Sequence, residues 1–121
     1  MMKEAKMKEM AIFNLKENMP AADDAVKILE LELENFSKAG VKVVKVVHGY
    51  GSHGSGGLIF YRIKEYFFQA KQKNLIKDVF FGNDWNIANE KVFELCLRVP
   101  DCAGDEDLKF CNPGISVIVL K

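Results

Sequence analysis

The amino-acid sequence lacks an excess of charge of either sign, since it contains 17 Lys and Arg residues and 17 Asp and Glu residues. A dedicated nucleic-acid-binding protein often has a basic excess, so any such role here would depend on a local basic patch. No apolar run approaches the roughly 20 residues that a membrane span needs. The first residues, MMKEAKMKEMA, also lack the apolar core of a signal peptide. We therefore expect a cytoplasmic protein that does not bind membranes.

Cysteine and histidine are both scarce. The three cysteines are Cys96, Cys102 and Cys111, an odd number without a CxxC spacing, which argues against a disulfide framework and against a zinc site. We expect reduced thiols, although the spacing of Cys102 and Cys111 leaves a local bridge open. The two histidines, His48 and His53, have no Cys, Asp or Glu nearby in the sequence and make a poor metal site.

The chain length of 121 residues and the apolar fraction of 49% predict one globular domain over residues 11–121, after an N-terminal extension over residues 1–10 that need not be ordered. The pattern predicts strands over 11–15, 41–47, 78–81 and 115–120, and helices over about 20–40, 58–73 and 88–99. Because strands and helices alternate, we expect an α/β fold with a mixed sheet of about four strands, two main helices and a short third. The second strand is expected to lie inside the sheet, and its pattern allows cover on one side only.

A glycine-rich stretch, HGYGSHGSGG, follows the second strand from His48 to Gly57 and contains five of the nine glycines. Glycine permits a close backbone approach to an anion, and the N–H groups at a helix start favour negative charge. The stretch therefore predicts an anion site, although it lacks the Walker pattern and only loosely matches GxGxxG. His48 suits a phosphate donor, a general acid or base, or a structural histidine that fixes the loop. His53 suits an exposed loop residue.

The residues from His48 to Ser52, HGYGS, resemble the HGxGTG signature of Smr domains, the small MutS-related family. Residues 13–17, FNLKE, stand where that family has an LDLHG-like motif, and residues 112–121, NPGISVIVLK, resemble its closing strand. The segment NLKENMPAADDAV and the glycine stretch together are similar to a stand-alone bacterial subgroup with an extended glycine loop. The resemblance implies a two-layer α/β sandwich, similar to the C-terminal domain of bacterial translation initiation factor three.

The resemblance also implies binding of DNA or RNA and, in several relatives, metal-assisted endonuclease cleavage. Where the first motif has Asp and His, this chain has Asn14 and Lys16, which are not suited to hold a metal or to move a proton. No metal ligand is therefore assigned, and a divalent metal is expected only if nuclease activity is retained. We expect a nucleic-acid-binding domain with weak or lost endonuclease activity, and whether it still nicks DNA or RNA stays open.

The expected phosphate site combines side chains with loop backbone. His48 is the candidate catalytic residue, as a phosphate donor or proton shuttle. Lys16 and Arg62 are the candidate anchors, each with a charge-assisted bond of about 1.5–3 kcal/mol, although Lys16 equally suits a solvated strand end. The loop residues expected around the phosphate are Gly49, Tyr50, Gly51, Ser52, His53, Gly54, Ser55, Gly56 and Gly57.

Other functions stay open at this point. A small-anion or nucleotide-binding regulatory module without catalysis would use the same loop. An interaction module would use aromatic side chains at a dimer contact. The candidates are Phe67, Phe68, Phe80 and Phe81, although burial in the core is the stronger expectation for them. Tyr50 and Trp85 are candidates for stacking on a base, and Trp85 equally suits the core. The first helix is acidic, whereas the second helix and the segment that follows it are mildly basic. The basic residues there are Arg62, Lys64, Lys71, Lys73 and Lys77.

Overall fold

The protein is described from a computed structural model, for residues 9–17, 21–49 and 55–121. The strands are β1 (Met10–Asn14), β2 (Val43–Val47), β3 (Ile76–Phe81) and β4 (Ile115–Leu120). The helices are α1 (Ala22–Lys38), α2 (Ser55–Gln72) and α3 (Glu90–Arg98), with 3₁₀ turns at Gly82–Asp84 and Pro100–Gly104. The predicted order of strands and helices is confirmed. The bounds of β4 agree to the residue, and those of the other elements differ by a few residues.

The four strands form one mixed sheet in the order β1-β2-β4-β3. β1 pairs parallel to β2, and β4 pairs antiparallel to both β2 and β3. The carboxyl ends of β1 and β2 therefore lie at the same edge of the sheet as the start of β4. We call this region the strand-end edge and define it by residues 14–16, 47–49 and 114–116. The predicted mixed α/β fold with two main helices and a short third is confirmed.

Helix α1 forms where apolar side chains recur at helical spacing. Asp23 and Asp24 lie in its first turn, where negative charge is favoured by the helix dipole. Ala25, Leu29 and Leu33 are buried because they follow one another at a spacing of four residues and share one face. The stripe of α2 that the sequence predicts is also buried, and it consists of Ile59, Ile63, Phe67 and Ala70.

The sheet is covered on both faces. Val44 and Val46 of β2 pack with the apolar sides of α1 and α2, whereas Val43 packs with residues of α3 and the adjoining turns. This alternation is the period of two that a strand imposes on its side chains. The sheet with α1 and α2 has the expected two-layer arrangement, and residues 82–110 add cover on the opposite face. One-sided cover of β2, which the sequence pattern allowed, is therefore wrong.

The segment before α3 turns Trp85 inward. Trp85 is fully buried, and its Nε1–H donates to Asp105 Oδ2 at 2.9 Å, so the core interpretation is confirmed and base stacking by Trp85 is wrong. Helix α3 begins later than predicted, because the Asn89 side chain accepts from the amides of Lys91 at 3.0 Å and Val92 at 3.4 Å. Asn89 therefore caps the helix instead of lying within it.

The three cysteines are free thiols, as expected, and no local bridge forms. Cys96 and Cys102 are buried and Cys111 is exposed. Burial raises the pKa of the Cys102 thiol to about 12, which makes it unreactive at neutral pH. Core burial of the phenylalanines is confirmed for Phe67 and Phe80 and wrong for Phe68, while Phe81 is partly buried. Within the described residues, no helix is long and apolar enough to cross a membrane.

Candidate phosphate-binding site at the strand-end edge

The parallel pairing of β1 and β2 brings Lys16 next to Gly49. Asn14 is opposite Val47 in the sheet, and the amides of Leu15 and Lys16 both donate to the Val47 carbonyl, at 2.8 Å and 3.2 Å. The Cδ atom of Lys16 lies 3.6 Å from the position that a Cβ atom on Gly49 would occupy. The predicted proximity of the two strand ends is therefore confirmed.

The turn at Gly49 is held against the start of β4. The amides of His48 and Gly49 both donate to the Gly114 carbonyl at 3.0 Å. Gly49 has a φ of 78°, a conformation that glycine adopts without strain. A Cβ atom on Gly114 would lie 3.4 Å from Gly49 Cα and 3.2 Å from Asn112 Oδ1. Glycine at 49 and 114 thus permits a close contact of two backbones.

The imidazole of His48 is buried at this edge. The imidazole ring packs against the ring of Phe60, with 5.2 Å between ring centroids, and His48 is 3% exposed. Nδ1 lies 2.6 Å from the Gly49 carbonyl oxygen, and since a carbonyl only accepts, Nδ1 carries the hydrogen. Nε2 lies 2.8 Å from Ser116 Oγ and accepts from that hydroxyl.

The environment keeps the His48 ring neutral. Burial lowers the pKa of His48, and hydrogen bonds to backbone carbonyls only partly oppose this effect. Both ring nitrogens are already hydrogen-bonded within the protein. The geometry therefore favours the structural interpretation of His48, in which the ring fixes the turn at Gly49.

The two expected cationic anchors are in different situations. Lys16 is exposed, and it forms no ion pair with any residue that the structure describes. Arg62 pairs instead with Asp23 of α1, and both side chains are substantially exposed. An exposed pair of this kind adds little stability, so a phosphate could compete for Arg62, but Lys16 is the cation next to Gly49.

The donor set at this edge does not fit a divalent metal. Asn14 Oδ1 accepts from the Glu17 amide at 3.1 Å, Lys16 brings a positive charge, and both nitrogens of His48 are occupied. Across residues 9–17, 21–49 and 55–121, no cluster of three His, Cys, Asp or Glu side chains could hold a metal ion. No step of a reaction is therefore assigned to a metal at these residues.

The glycine stretch continues from this edge into α2. Five residues expected around the phosphate lie outside the described part of the chain, namely Tyr50, Gly51, Ser52, His53 and Gly54. The backbone of Ser55, Gly56 and Gly57 forms the first turn of α2, which contains no acidic residue. The first amides of a helix lack partners within it, and its dipole is positive at that end. The start of α2 is therefore suited to an anion.

A buried ion cluster on the opposite face of the sheet was not predicted from the sequence. Lys45 of β2 is 1% exposed, and its Nζ lies 2.8 Å from Asp105 Oδ1 and 2.7 Å from Asp107 Oδ2. Burial tends to lower the pKa of Lys45, but hydrogen bonds and charge from the two carboxylates outweigh it and raise the pKa. Partial burial tends to raise the pKa of the Asp107 carboxyl, but its hydrogen bonds to Lys45 and Asn112 and the charge of Lys45 outweigh this effect and lower the pKa.

The ion cluster is connected to the strand-end edge by Asn112. The Nδ2 atom of Asn112 donates to Asp107 Oδ1 at 3.0 Å, and its Oδ1 accepts from the Gly114 amide at 2.9 Å. The Gly114 carbonyl in turn accepts from His48 and Gly49. A lysine within a valine-rich strand was the available signal, since a buried lysine requires paired carboxylates. The acidic segment PDCAGDED supplies both of them.

No protein-family model matches the chain, and no curated protein matches it by sequence. Among solved structures, the chain is similar to the crystal structure of the Smr domain of Thermus thermophilus MutS2, with a TM-score of 0.54. The similarity covers 93% of this chain and 98% of that domain at 12% sequence identity. At this identity the likeness shows a common fold, so the chain has an Smr-like fold.

Proposed function

We propose that the protein is a nucleic-acid-binding Smr-like module that holds a backbone phosphate of DNA or RNA at the strand-end edge, with weak or lost endonuclease activity. The observation that carries the proposal is the position of Lys16, an exposed cation without an ion-pair partner among the described residues, beside the positive-φ turn at Gly49. The Smr-like fold supports the proposal. Such a module would act in the cytosol, where its three thiols stay reduced.

The proposed site uses a charge and a row of backbone amides. Lys16 supplies a charge-assisted hydrogen bond to a phosphate oxygen. Amides of the first turn of α2 and of the preceding glycine stretch donate to the other oxygens. Arg62 would join the site only by leaving Asp23. The remaining proposed phosphate contacts are the backbone groups and small side chains of Gly49, Tyr50, Gly51, Ser52, His53, Gly54, Ser55, Gly56 and Gly57.

The proposed loss of cleavage follows from the groups at the same edge. A proton shuttle requires a ring nitrogen that is free to meet the substrate, and the Gly49 carbonyl and the Ser116 hydroxyl occupy both nitrogens of His48. The amide of Asn14 supplies no ionised carboxylate. In this proposal His48 acts as a positioning residue, because it holds the turn to which the phosphate binds.

Fluorescence anisotropy with labelled DNA and RNA oligonucleotides at low salt tests the binding. We expect Lys16→Ala to weaken binding at least about tenfold, the value of one charge-assisted bond, and to reduce the salt dependence by about one counterion. The matched control is Lys38→Ala, which removes an exposed lysine from the last turn of α1. No binding by the unmodified protein at micromolar concentration would overturn the proposal, and equal losses in both variants would overturn the site.

A nicking assay on supercoiled DNA and on labelled RNA, with and without Mg²⁺, tests the loss of cleavage. We expect no cleavage above the background of a mock purification. Cleavage that co-purifies with the protein and disappears in Asn14→Ala and His48→Gln, while both variants keep the wild-type melting temperature, would contradict the assignment of weak or lost activity.

A small-anion or nucleotide-binding regulatory module is the second candidate. It is favoured by the equal numbers of acidic and basic residues, since a site for one phosphate needs no extended basic surface. A ligand that binds only the folded state stabilises it by RT ln(1 + [L]/Kd). Saturable thermal stabilisation by nucleotides or phosphate, together with no oligonucleotide binding, would replace the first proposal by this one, and a flat response would dismiss it.

A further inference from the structure

We propose that the outer face of α2 is a stacking platform for single-stranded nucleic acid, on which bases stack against Tyr61 and Phe68 while phosphates follow Lys64 and Lys71. This inference depends on the proposed function and deepens it, because it names the class of nucleic acid that continues from the strand-end edge. We call these four residues the α2 platform.

Two aromatic side chains of α2 point away from the core. Tyr61 is 61% exposed and Phe68 is 64% exposed. They are seven residues apart, which is close to two helical turns, so they lie on one line of the helix about 10 Å apart. The opposite side of the same helix buries Ile63 and Phe67 in the core. The exposed pair therefore contributes nothing to the hydrophobic core that α2 forms with the sheet.

Two lysines form a second line beside the aromatic one. Lys64 and Lys71 are also seven residues apart, and each contacts a residue of β3, which places them on the β3 side of α2. The Nζ atom of Lys64 lies 5.4 Å from the ring centroid of Phe81, and the Nζ atom of Lys71 donates to Asp78 Oδ1 at 2.9 Å. Nonspecific binding of single strands combines a basic track for phosphates with aromatic side chains for bases. The α2 platform has both parts in parallel.

The charge of α2 fits an anionic polymer, and that of α1 does not. Along Ser55–Gln72 the sequence has three basic residues and one acidic residue, whereas along Ala22–Lys38 it has two basic residues and five acidic residues. The two helices pack side by side on one face of the sheet. Of the two, α2 is therefore the helix along which a bound strand would run.

The α2 platform is continuous with the strand-end edge. The ring of Phe60, next to Tyr61 in the sequence, contacts the ring of His48, and the last residues of the glycine stretch form the first turn of α2. A strand whose phosphate binds at Lys16 would reach Tyr61 first and Phe68 second. Duplex bases are stacked on one another and offer no free face to an aromatic side chain, so stacking selects a single strand.

The test compares binding of a labelled single strand and of the duplex with the same sequence, by fluorescence anisotropy, for DNA and for RNA. We expect the double variant Tyr61→Ala/Phe68→Ala to weaken binding of the single strand at least about tenfold. Binding of the duplex should change less than twofold, because the lysines remain. The variant Tyr61→Phe/Phe68→Tyr, which keeps both rings, should restore binding of the single strand.

The matched control is Phe93→Ala/Leu97→Ala on α3, where two exposed apolar side chains, 48% and 67% exposed, lie on a helix that also carries Glu90 and Glu94. This control should bind the single strand as the unmodified protein does. Unchanged binding by Tyr61→Ala/Phe68→Ala would overturn the platform, and so would an equal loss for duplex or in the α3 control. If Lys16→Ala still weakens binding in those cases, the proposed function stands, whereas no binding by the unmodified protein removes both.

Discussion

The two faces of the sheet bury polar side chains by different means. Within the described residues, the buried polar and charged side chains are Lys45, His48 and Ser116. On the face covered by α1 and α2, His48 and Ser116 form a neutral hydrogen-bonded pair at the strand-end edge. On the face covered by α3, Lys45 forms charged contacts with Asp105 and Asp107. The same strand, β2, contributes Lys45 and leads directly into His48.

The difference shows how a small domain holds the turn at Gly49 from both faces of the sheet. Burial of a neutral pair costs little free energy, because each group keeps a good hydrogen-bond partner. A buried ion pair is weak as a source of net stability but costly to break, because the remaining charge is left without a partner. The charged face therefore holds residues 105–114 in place. Asn112 transmits this constraint to Gly114, which holds the turn at Gly49.

The largest expected effect comes from removing the cation of the charged face. Lys45→Ala leaves the buried carboxylate of Asp105 and the partly buried carboxylate of Asp107 without a cation, and we expect the free energy of unfolding to fall by about 3–5 kcal/mol. Urea denaturation followed by tryptophan fluorescence measures it, since Trp85 is the single tryptophan and contacts Asp105. Ser116→Ala, the matched removal from the neutral pair, should cost about 1–3 kcal/mol.

The variant Lys45→Met/Asp105→Asn/Asp107→Asn separates charge from packing. It removes all three charges together and keeps similar volumes, so it should be more stable than Lys45→Ala. A loss in Lys45→Ala that is no greater than the loss in Ser116→Ala would contradict the distinction between the two faces.

The strands, the main helices and the proximity of Lys16 to Gly49 could be predicted because they depend on local patterns and on one parallel β-α-β unit. The burial of His48 could not, since its partner Ser116 is 68 residues away and is brought there by antiparallel pairing of β4. Lys45 posed the same difficulty, with Asp107 62 residues away. A histidine at a strand end looks the same in the sequence whether it faces a ligand or a hydroxyl group.

The start of α2 shows a different limit of sequence analysis. The sequence predicts the helix from Leu58, because Gly56 and Gly57 have a low intrinsic helix propensity. In the structure the helix begins at Ser55, since the packing of Ile59 and Ile63 overrides this propensity. The positive end of the helix therefore lies within the glycine stretch and not after it.

An intermediate effect is expected from Asn112, which connects the two faces. Asn112→Ala leaves the Gly114 amide and one oxygen of Asp107 without this partner, and we expect a loss of about 1–3 kcal/mol in the free energy of unfolding. Because Gly114 holds the turn at Gly49, oligonucleotide binding should weaken as well. The control is Asn86→Ala, which removes an exposed turn bond to the Ala88 amide and should leave binding unchanged. Wild-type affinity in a destabilised Asn112→Ala protein would show that the two faces act independently.

The smallest effect concerns the neutral pair and appears only at mildly acidic pH. The pKa of His48 is lowered in the folded protein by burial, so the stability that this group contributes is present above its ordinary pKa of about 6.5. It is lost as pH falls through that value, because the unfolded chain binds the proton more readily. For one proton, the free energy of unfolding changes by at most about 1.4 kcal/mol per pH unit.

The comparison of the unmodified protein with His48→Gln isolates this contribution, because glutamine does not titrate. We expect the free energy of unfolding of the unmodified protein to fall relative to that of His48→Gln between pH 7.5 and pH 5.5. Charged residues of the other face respond in a different range, since the lowered pKa of Asp107 places its loss of stability below its ordinary pKa of about 4. Parallel stability curves for the two proteins down to pH 5.5 would mean that His48 does not titrate as a buried neutral ring, and the assignment of its two hydrogen bonds would then be wrong.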